Sequence, residues 1–184
     1  YAFAINPLYC DNPHDLRERQ LTFGQTWDVF AKVFAEENER LGILLSKYLG
    51  NCLYPLIEHQ GYTLYDLWYF LTSQSFRDFV LSKGTYHPEV VEFWHDAYEW
   101  MLPRHKKEEP QSLLNRIDAM RRNPYIKHVI GQTTPSIDFV KVMQTQKIVL
   151  LRMPPWQDSE SKAFIGTLVI SQLLKTIFLR AEVA

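Results

Sequence analysis

The sequence predicts a mainly α-helical domain, bundle-like, flanked by one or two short β-strands, of the kind inserted into an α/β sheet. Three observations point there. Apolar residues recur at three- and four-residue spacing through most of the chain, the period of a helix buried on one face. Near the end the period changes, and residues 147–153 (Lys-Ile-Val-Leu-Leu-Arg-Met) form a continuous β-branched apolar run. The opening residues, apolar up to Asn6-Pro7, read as a buried strand entering a turn.

Taken in order, residues 11–20 are polar and rich in turn formers and read as a loop. Residues 25–39 place Trp27, Phe30, Val33 and Phe34 on one helical face. Residues 40–60 carry a wider stripe, from Leu41 to Ile57, which predicts a central helix; Pro55 would kink it and Gly61 would end it. Thr63 is the expected N-cap of a helix over 64–71, with Asp66 returning a capping-box bond. Ser73 or Ser75 caps 76–82, and Gly84 stops it. Pro88 suits a first helical position, followed by a helix over 89–102.

Residues 104–110 read as a charged loop, Pro110 opens a helix over 111–122, and Pro124 opens a short turn to Ile130. Ser136 is the expected cap of 137–144, Pro154-Pro155 ends the strand at 147–153, and Ser159 caps one long helix to Ala184. No Gly, Asn or Pro follows that helix, and no Met opens the chain, so both ends read as cuts from a longer protein. The expected organisation is 1–10 as strand and turn of a core, 11–145 as an inserted helical domain, and 146–184 as a core strand and long helix.

Composition narrows the function classes. At 184 residues, 46% hydrophobic and 22% charged, the chain is long enough for one real core and too ordered in composition for bulk disorder. Twenty Lys and Arg against 21 Asp and Glu give no global pull toward nucleic acid or membrane, so any basic surface must be local. Cys10 and Cys52 lack CxxC spacing and read as reduced small hydrophobes. No run reaches the ~18 uninterrupted apolar residues of a membrane span; the nearest, residues 165–179, is interrupted by Ser171, Gln172 and Lys175. No basic leader opens the chain, so a cytoplasmic location is the expectation.

A family resemblance rests on ordered pieces in the last third: Leu114-Asn-Arg-Ile-Asp118, Asn123-Pro124, Ile130-Gly-Gln132, Ser136-Ile-Asp-Phe139, the run from Lys147 to Leu151, the stretch from Gly166 to Gln172, and Leu179-Arg180-Ala181. These resemble the segment just before the Walker B strand in P-loop ATPases of the type IV secretion and conjugation group, the coupling proteins and DNA-pumping translocases. Ile5-Asn-Pro-Leu8 resembles the strand end that follows the Walker A region in the same proteins. The resemblance implies a helical domain between the two ATP-binding motifs, contacting DNA or transported substrate. It implies a parent that works as a homo-hexamer with ATP and Mg²⁺, with secretion-machine components as further partners.

The departures are equally plain. None of the seven glycines opens Gly-x-x-x-x-Gly-Lys-Ser/Thr, the loop whose N–H groups wrap phosphates. The apolar run ends in Arg152-Met153-Pro154-Pro155, without the acids that hold Mg²⁺. The chain by itself is therefore expected to hold no cofactor and to turn over no ATP.

Candidate site residues follow. Arg180 stands where related proteins carry a basic residue, and in ring ATPases such an arginine reaches a neighbour's γ-phosphate; it equally complements a helix C-terminus. Arg152 ends a strand, where open α/β sheets bind ligands. Arg104, Lys106, Lys107, Arg116, Arg121, Arg122 and Lys127 form a locally basic stretch suited to phosphates, with Tyr125 available for stacking; a solvated surface is the competing reading. Glu92 and His95 have the spacing of a di-metal bundle ligand pair, but the second pair and further Glu residues are missing. The aromatic cluster from Trp68 to Trp100 reads mostly as core, any exposed subset marking a partner site. Besides the translocase reading, the sequence leaves open a free-standing helical protein–protein interaction module.

Overall fold

The computed structural model describes residues 3–34, 42–153, 155 and 157–181. They form ten α-helices and one π-helical turn: α1 (Leu16–Phe34), α2 (Ile43–Glu58), α3 (Asp66–Thr72), α4 (Gln74–Leu81), α5 (Pro88–Glu92), the π turn (Phe93–Tyr98), α6 (Pro103–Glu108), α7 (Gln111–Arg122), α8 (Pro124–Ile130), α9 (Phe139–Gln144) and α10 (Ser159–Ala181). The mainly helical class is as expected. Among the described residues no β-strand forms, because neither extended segment has a strand beside it.

The wide stripe of α2 makes it the centre. Leu45, Tyr48, Leu49, Cys52, Leu53 and Leu56 are all buried, and α1, α3, α4, α5 and α7 pack around the helix. Trp94 on the π turn closes this core: it stacks edge-on against Phe70 and Tyr98, and its indole N–H donates to the Asn51 carbonyl at 3.0 Å. Arg77 is buried beneath it, its guanidinium over the Trp94 and Tyr98 rings and donating to the Phe70 carbonyl.

Several local expectations shift. α1 begins at Leu16, inside the expected loop, because Asp15 and Asn12 organise the turn before it. Thr63 and Asp66 do exchange bonds, the carboxylate accepting from Thr63 N–H and hydroxyl, but the helix proper starts at Asp66. The expected charged loop at 104–110 is helix α6, opened by Pro103. Ser136 does not cap α9; Asp138 does, accepting from Lys141 N–H, while Ser136 is drawn away to bond Ala4. Ser73 caps α4 as expected, and Asn123 caps α8.

The opening segment is buried but is not a sheet strand. Ile5 N–H donates to the Val129 carbonyl, and Ser136 exchanges two bonds with Ala4. Asn6, 2% exposed, donates to the Tyr62 and Thr133 carbonyls at 2.8 Å each and accepts from Leu8 N–H. One amide thereby ties the segment to two separate loops. α10 then lies along α1 in the most extensive helix pairing of the fold. Its inner face carries a charge: Lys175 is almost fully buried and donates to Glu18 at 3.1 Å and to the Tyr9 carbonyl at 2.7 Å. Glu18 also accepts from the Asp11 and Asn12 N–H groups. By length and composition alone α10, which contains the 165–179 run, could cross a membrane, and the buried pair holds its inner face against α1.

Candidate functional site

Apart from Arg116, in the middle of α7, the basic residues predicted to meet phosphates lie at or beyond the two ends of that helix. Its 12 residues span roughly 18 Å at the α-helical rise. At one end, α6 presents Arg104, Lys106 and Lys107. Arg104 pairs with Glu108 one turn on, at 2.9 Å. Lys106 pairs with Glu99 at 3.0 Å and sits over the Tyr98 ring. Glu109, just after α6, pairs with Lys47 of α2 and accepts from the Tyr48 hydroxyl. Those bonds hold the Glu109 carboxyl below the usual carboxylate range, and burial together with the Glu109 charge raises the Tyr48 hydroxyl. Arg104 and Lys106 are thus matched by neighbouring acids, while Lys107 is exposed with no ion pair among the described residues.

At the other end two cations stand without acids. Arg122 and Lys127 are exposed, with no ion pair among the described residues, and His128 is exposed beside them. Arg121 is half-buried, its guanidinium 4.2 Å from the Trp68 ring centroid and 3.5 Å from Asp118. Next to this end lies an open hollow of about 500 Å³, lined by Asn123, Tyr125, His128 and Asp158. Tyr125 is packed against the core on one side, which limits it to a partial platform for stacking. Arg116 belongs elsewhere: it donates to Ser112 and to the Phe34 carbonyl at the C-terminal end of α1.

Arg152 and Arg180 are both exposed, on the segment before α10 and in the last turn of α10. Among the described residues, His, Cys, Asp and Glu form no cluster of three or more that could hold a metal. Cys10 and Cys52 are free and buried, and burial raises both thiols.

The sequence reading missed where the apolar surface lies. Trp100, placed with the aromatic core, is 86% exposed, and Leu102 beside it is also exposed. Pro103 opens α6 there, so the chain turns outward between the π turn and α6 and carries both side chains away from the core. Another bare region is the exit unit, residues 147–153 together with α10. Residues 148–151 project into solvent, as do Ile170, Leu174, Ile177 and Phe178 on the outer face of α10. The signal was present: α10 is apolar nearly all round, a pattern that asks for burial on two sides.

No family model, curated protein or solved structure matches the chain.

Proposed function

We propose that this chain is the non-catalytic helical part of a DNA-translocating or secretion-associated P-loop ATPase, whose helical layer meets DNA or the transported substrate. The observation that carries the reading is the placement of entry and exit. The segment before α1 and the closing helix α10 lie side by side, joined by the Lys175 bond to the Tyr9 carbonyl. A helical block whose entry and exit adjoin can sit between two elements of another fold without disturbing it. ATP and Mg²⁺ belong to the phosphate-binding motifs of that surrounding core, and the homo-hexamer and secretion-machine partners to the whole ATPase.

Within this reading the phosphate-facing end is the junction of α7 and α8, where Arg122 and Lys127 lack acidic partners among the described residues. Arg104 and Lys106 contribute less, since acids offset them, while Lys107 at the far end of α7 is exposed and likewise without an acidic partner among the described residues. Arg152 and Arg180 remain candidates for reaching a nucleotide held outside this chain. The chain alone is expected to bind duplex DNA weakly at low salt, and the logarithm of affinity should fall linearly with the logarithm of salt concentration, by ~0.9 per phosphate contacted. Arg122→Ala with Lys127→Ala should flatten that slope by roughly two contacts' worth. Fluorescence anisotropy with a labelled duplex measures both; absence of binding at low salt removes the DNA contact.

The exposed Trp100 and Leu102 favour a second reading, a helical protein–protein module that docks a partner at the π turn and α6. Under it, Trp100→Ala abolishes partner capture and leaves DNA affinity unchanged.

A further inference from the structure

α10 carries a second stripe beside the one that faces α1. Thr167, Ile170, Leu174, Ile177 and Ala181 recur at alternating spacings of three and four. On an ideal helix all five fall within about 60° of Leu174, so they share one face. That alternation is the seam of a left-handed helix pair, in which another helix supplies the cover. In this chain the large central positions of the seam are bare: Ile170 is 59% exposed, Leu174 39% and Ile177 48%. The occupant such a seam selects is a helix with an apolar stripe of its own.

A hollow beside the seam says which helix. α1 runs antiparallel to α10: the Phe34 and Phe164 rings meet at one end, the Ser171 hydroxyl donates to the Gln25 carbonyl midway, and Lys175 pairs with Glu18 further on. Between the two helices lies a hollow of about 200 Å³, walled by Gln25, Asp28 and Val29 of α1 and by Ile170 and Ser171 of α10. Phe178, 52% exposed, is the last residue of α10 to border it, on the same side of the seam as Ser171 and Lys175. A two-fold axis crossing α10 at Leu174 sets a second copy of the helix antiparallel to the first. Position 178 then meets position 170, and position 167 meets position 181, small against small. The same axis turns the α1 side of each copy toward the α1 side of the other, which brings each Phe178 ring over the other copy's hollow. The relation is reciprocal, as an isologous interface requires. At the rim stand one exposed anion, Asp28, and one exposed cation, Lys32, neither of them ion-paired among the described residues, so two copies approach without net charge there. An apolar seam inside a polar rim is the make-up of a protein interface.

We propose that this chain pairs with a second copy of itself through the outer face of α10, antiparallel about Leu174, with Phe178 of each copy seated in the α1–α10 hollow of the other. The interface goes beyond the function proposed above and rests on neither of its readings. From Thr167 to Ala181 the seam is about 22 Å long at the α-helical rise, short for a standard interface, so a dissociation constant on the order of 10 μM is expected.

Sedimentation equilibrium of the 184-residue chain over roughly 1–200 μM should show a monomer–dimer equilibrium. Phe178→Ser should weaken it about tenfold or more, while far-UV circular dichroism of the dilute protein stays unchanged because the ring is half outside the core. Trp100→Ala, at the other exposed aromatic site, should leave the equilibrium as it is. Cysteine cross-linking reads the orientation, since both native cysteines are buried. Leu174→Cys should link to itself under mild oxidation, and Thr167→Cys should link to Ala181→Cys when the two variants are mixed. An unweakened Phe178→Ser dimer, loss of the dimer in Trp100→Ala, or self-linking of both Thr167→Cys and Ala181→Cys, the mark of a parallel pair, each overturns the proposal. A monomer at every concentration overturns it too, and binding of that monomer to neutral phosphatidylcholine vesicles would assign the face to lipid. Neither DNA nor nucleotide enters these measurements, so their failure leaves the translocase reading standing, and a failed DNA titration leaves the dimer standing.

Discussion

α2 and α10 are both long apolar helices, and they are finished differently. α2 is surrounded by five helices of its own chain and leaves only its first turn in solvent, at Ile43 and Leu44. α10 buries Phe164, Ile165 and Leu168 against the core and leaves Ile170, Leu174, Ile177 and Phe178 bare. The difference is one of closure rather than composition. Around α2 the hydrophobic demand is met internally, so substitutions there report on stability. Along the outer face of α10 it is unmet, so substitutions there report on contact with something else.

The largest way to break the comparison is the one charge pair on the inner face of α10. Lys175→Met leaves Glu18 buried without its partner, and loss of one member of a buried pair costs about 3–5 kcal/mol. The carboxylate keeps its two backbone donors, which places the effect toward the lower end. Urea unfolding should show the midpoint falling sharply, and an unchanged midpoint would mean that the pair does not fix α10 to α1. Next in size is a matched pair of truncations. Leu53→Ala on α2 empties a fully buried site and should cost about 2–5 kcal/mol. Leu174→Ala on α10, a partly exposed site, should stay near 0.5 kcal/mol. Equal costs by the same urea measurement would show that the outer face of α10 is already closed.

The smallest expected effect is electrostatic. Glu109 is held below the usual carboxylate range first by its bond from Lys47, against a smaller opposing effect of burial. A lowered folded value means that the contribution is complete above the unfolded carboxylate range, near pH 4–5, and is lost as pH falls through the folded value. The pair is partly solvated, so Glu109→Gln should cost no more than ~1 kcal/mol at pH 7. The difference between wild type and variant in a pH series of urea midpoints should vanish in acid. A difference that grows in acid would reverse the assignment.

Much of the helical layer was legible because it obeys local rules. The stripe of α2, the Ser73 cap and the proline openings of α5, α7 and α8 depend on neighbours within a turn or two. What was not legible depends on distant partners. Ser136 reads as a cap until Ala4, 132 positions away, takes its hydroxyl. The aromatic cluster that ends at Trp100 reads as mostly core, and only the turn into α6 puts Trp100 itself outside. The basic stretch reads as one patch because charge is counted along the chain, whereas α7 separates its ends and Glu99 and Glu108 answer Lys106 and Arg104 at one of them.

The sequence by itself determined the mainly helical class, the central place of α2 and the apolar character of residues 148–151, because periodicity and side-chain chemistry are properties of short stretches. Tertiary structure alone decided that Lys175 is buried against Glu18, that Asn6 ties two loops, and that one face of the exit unit is covered and the other bare. These depend on contacts between residues far apart in the chain. No local pattern records such contacts, since the free energy that selects them comes from burying and pairing groups that only folding brings together.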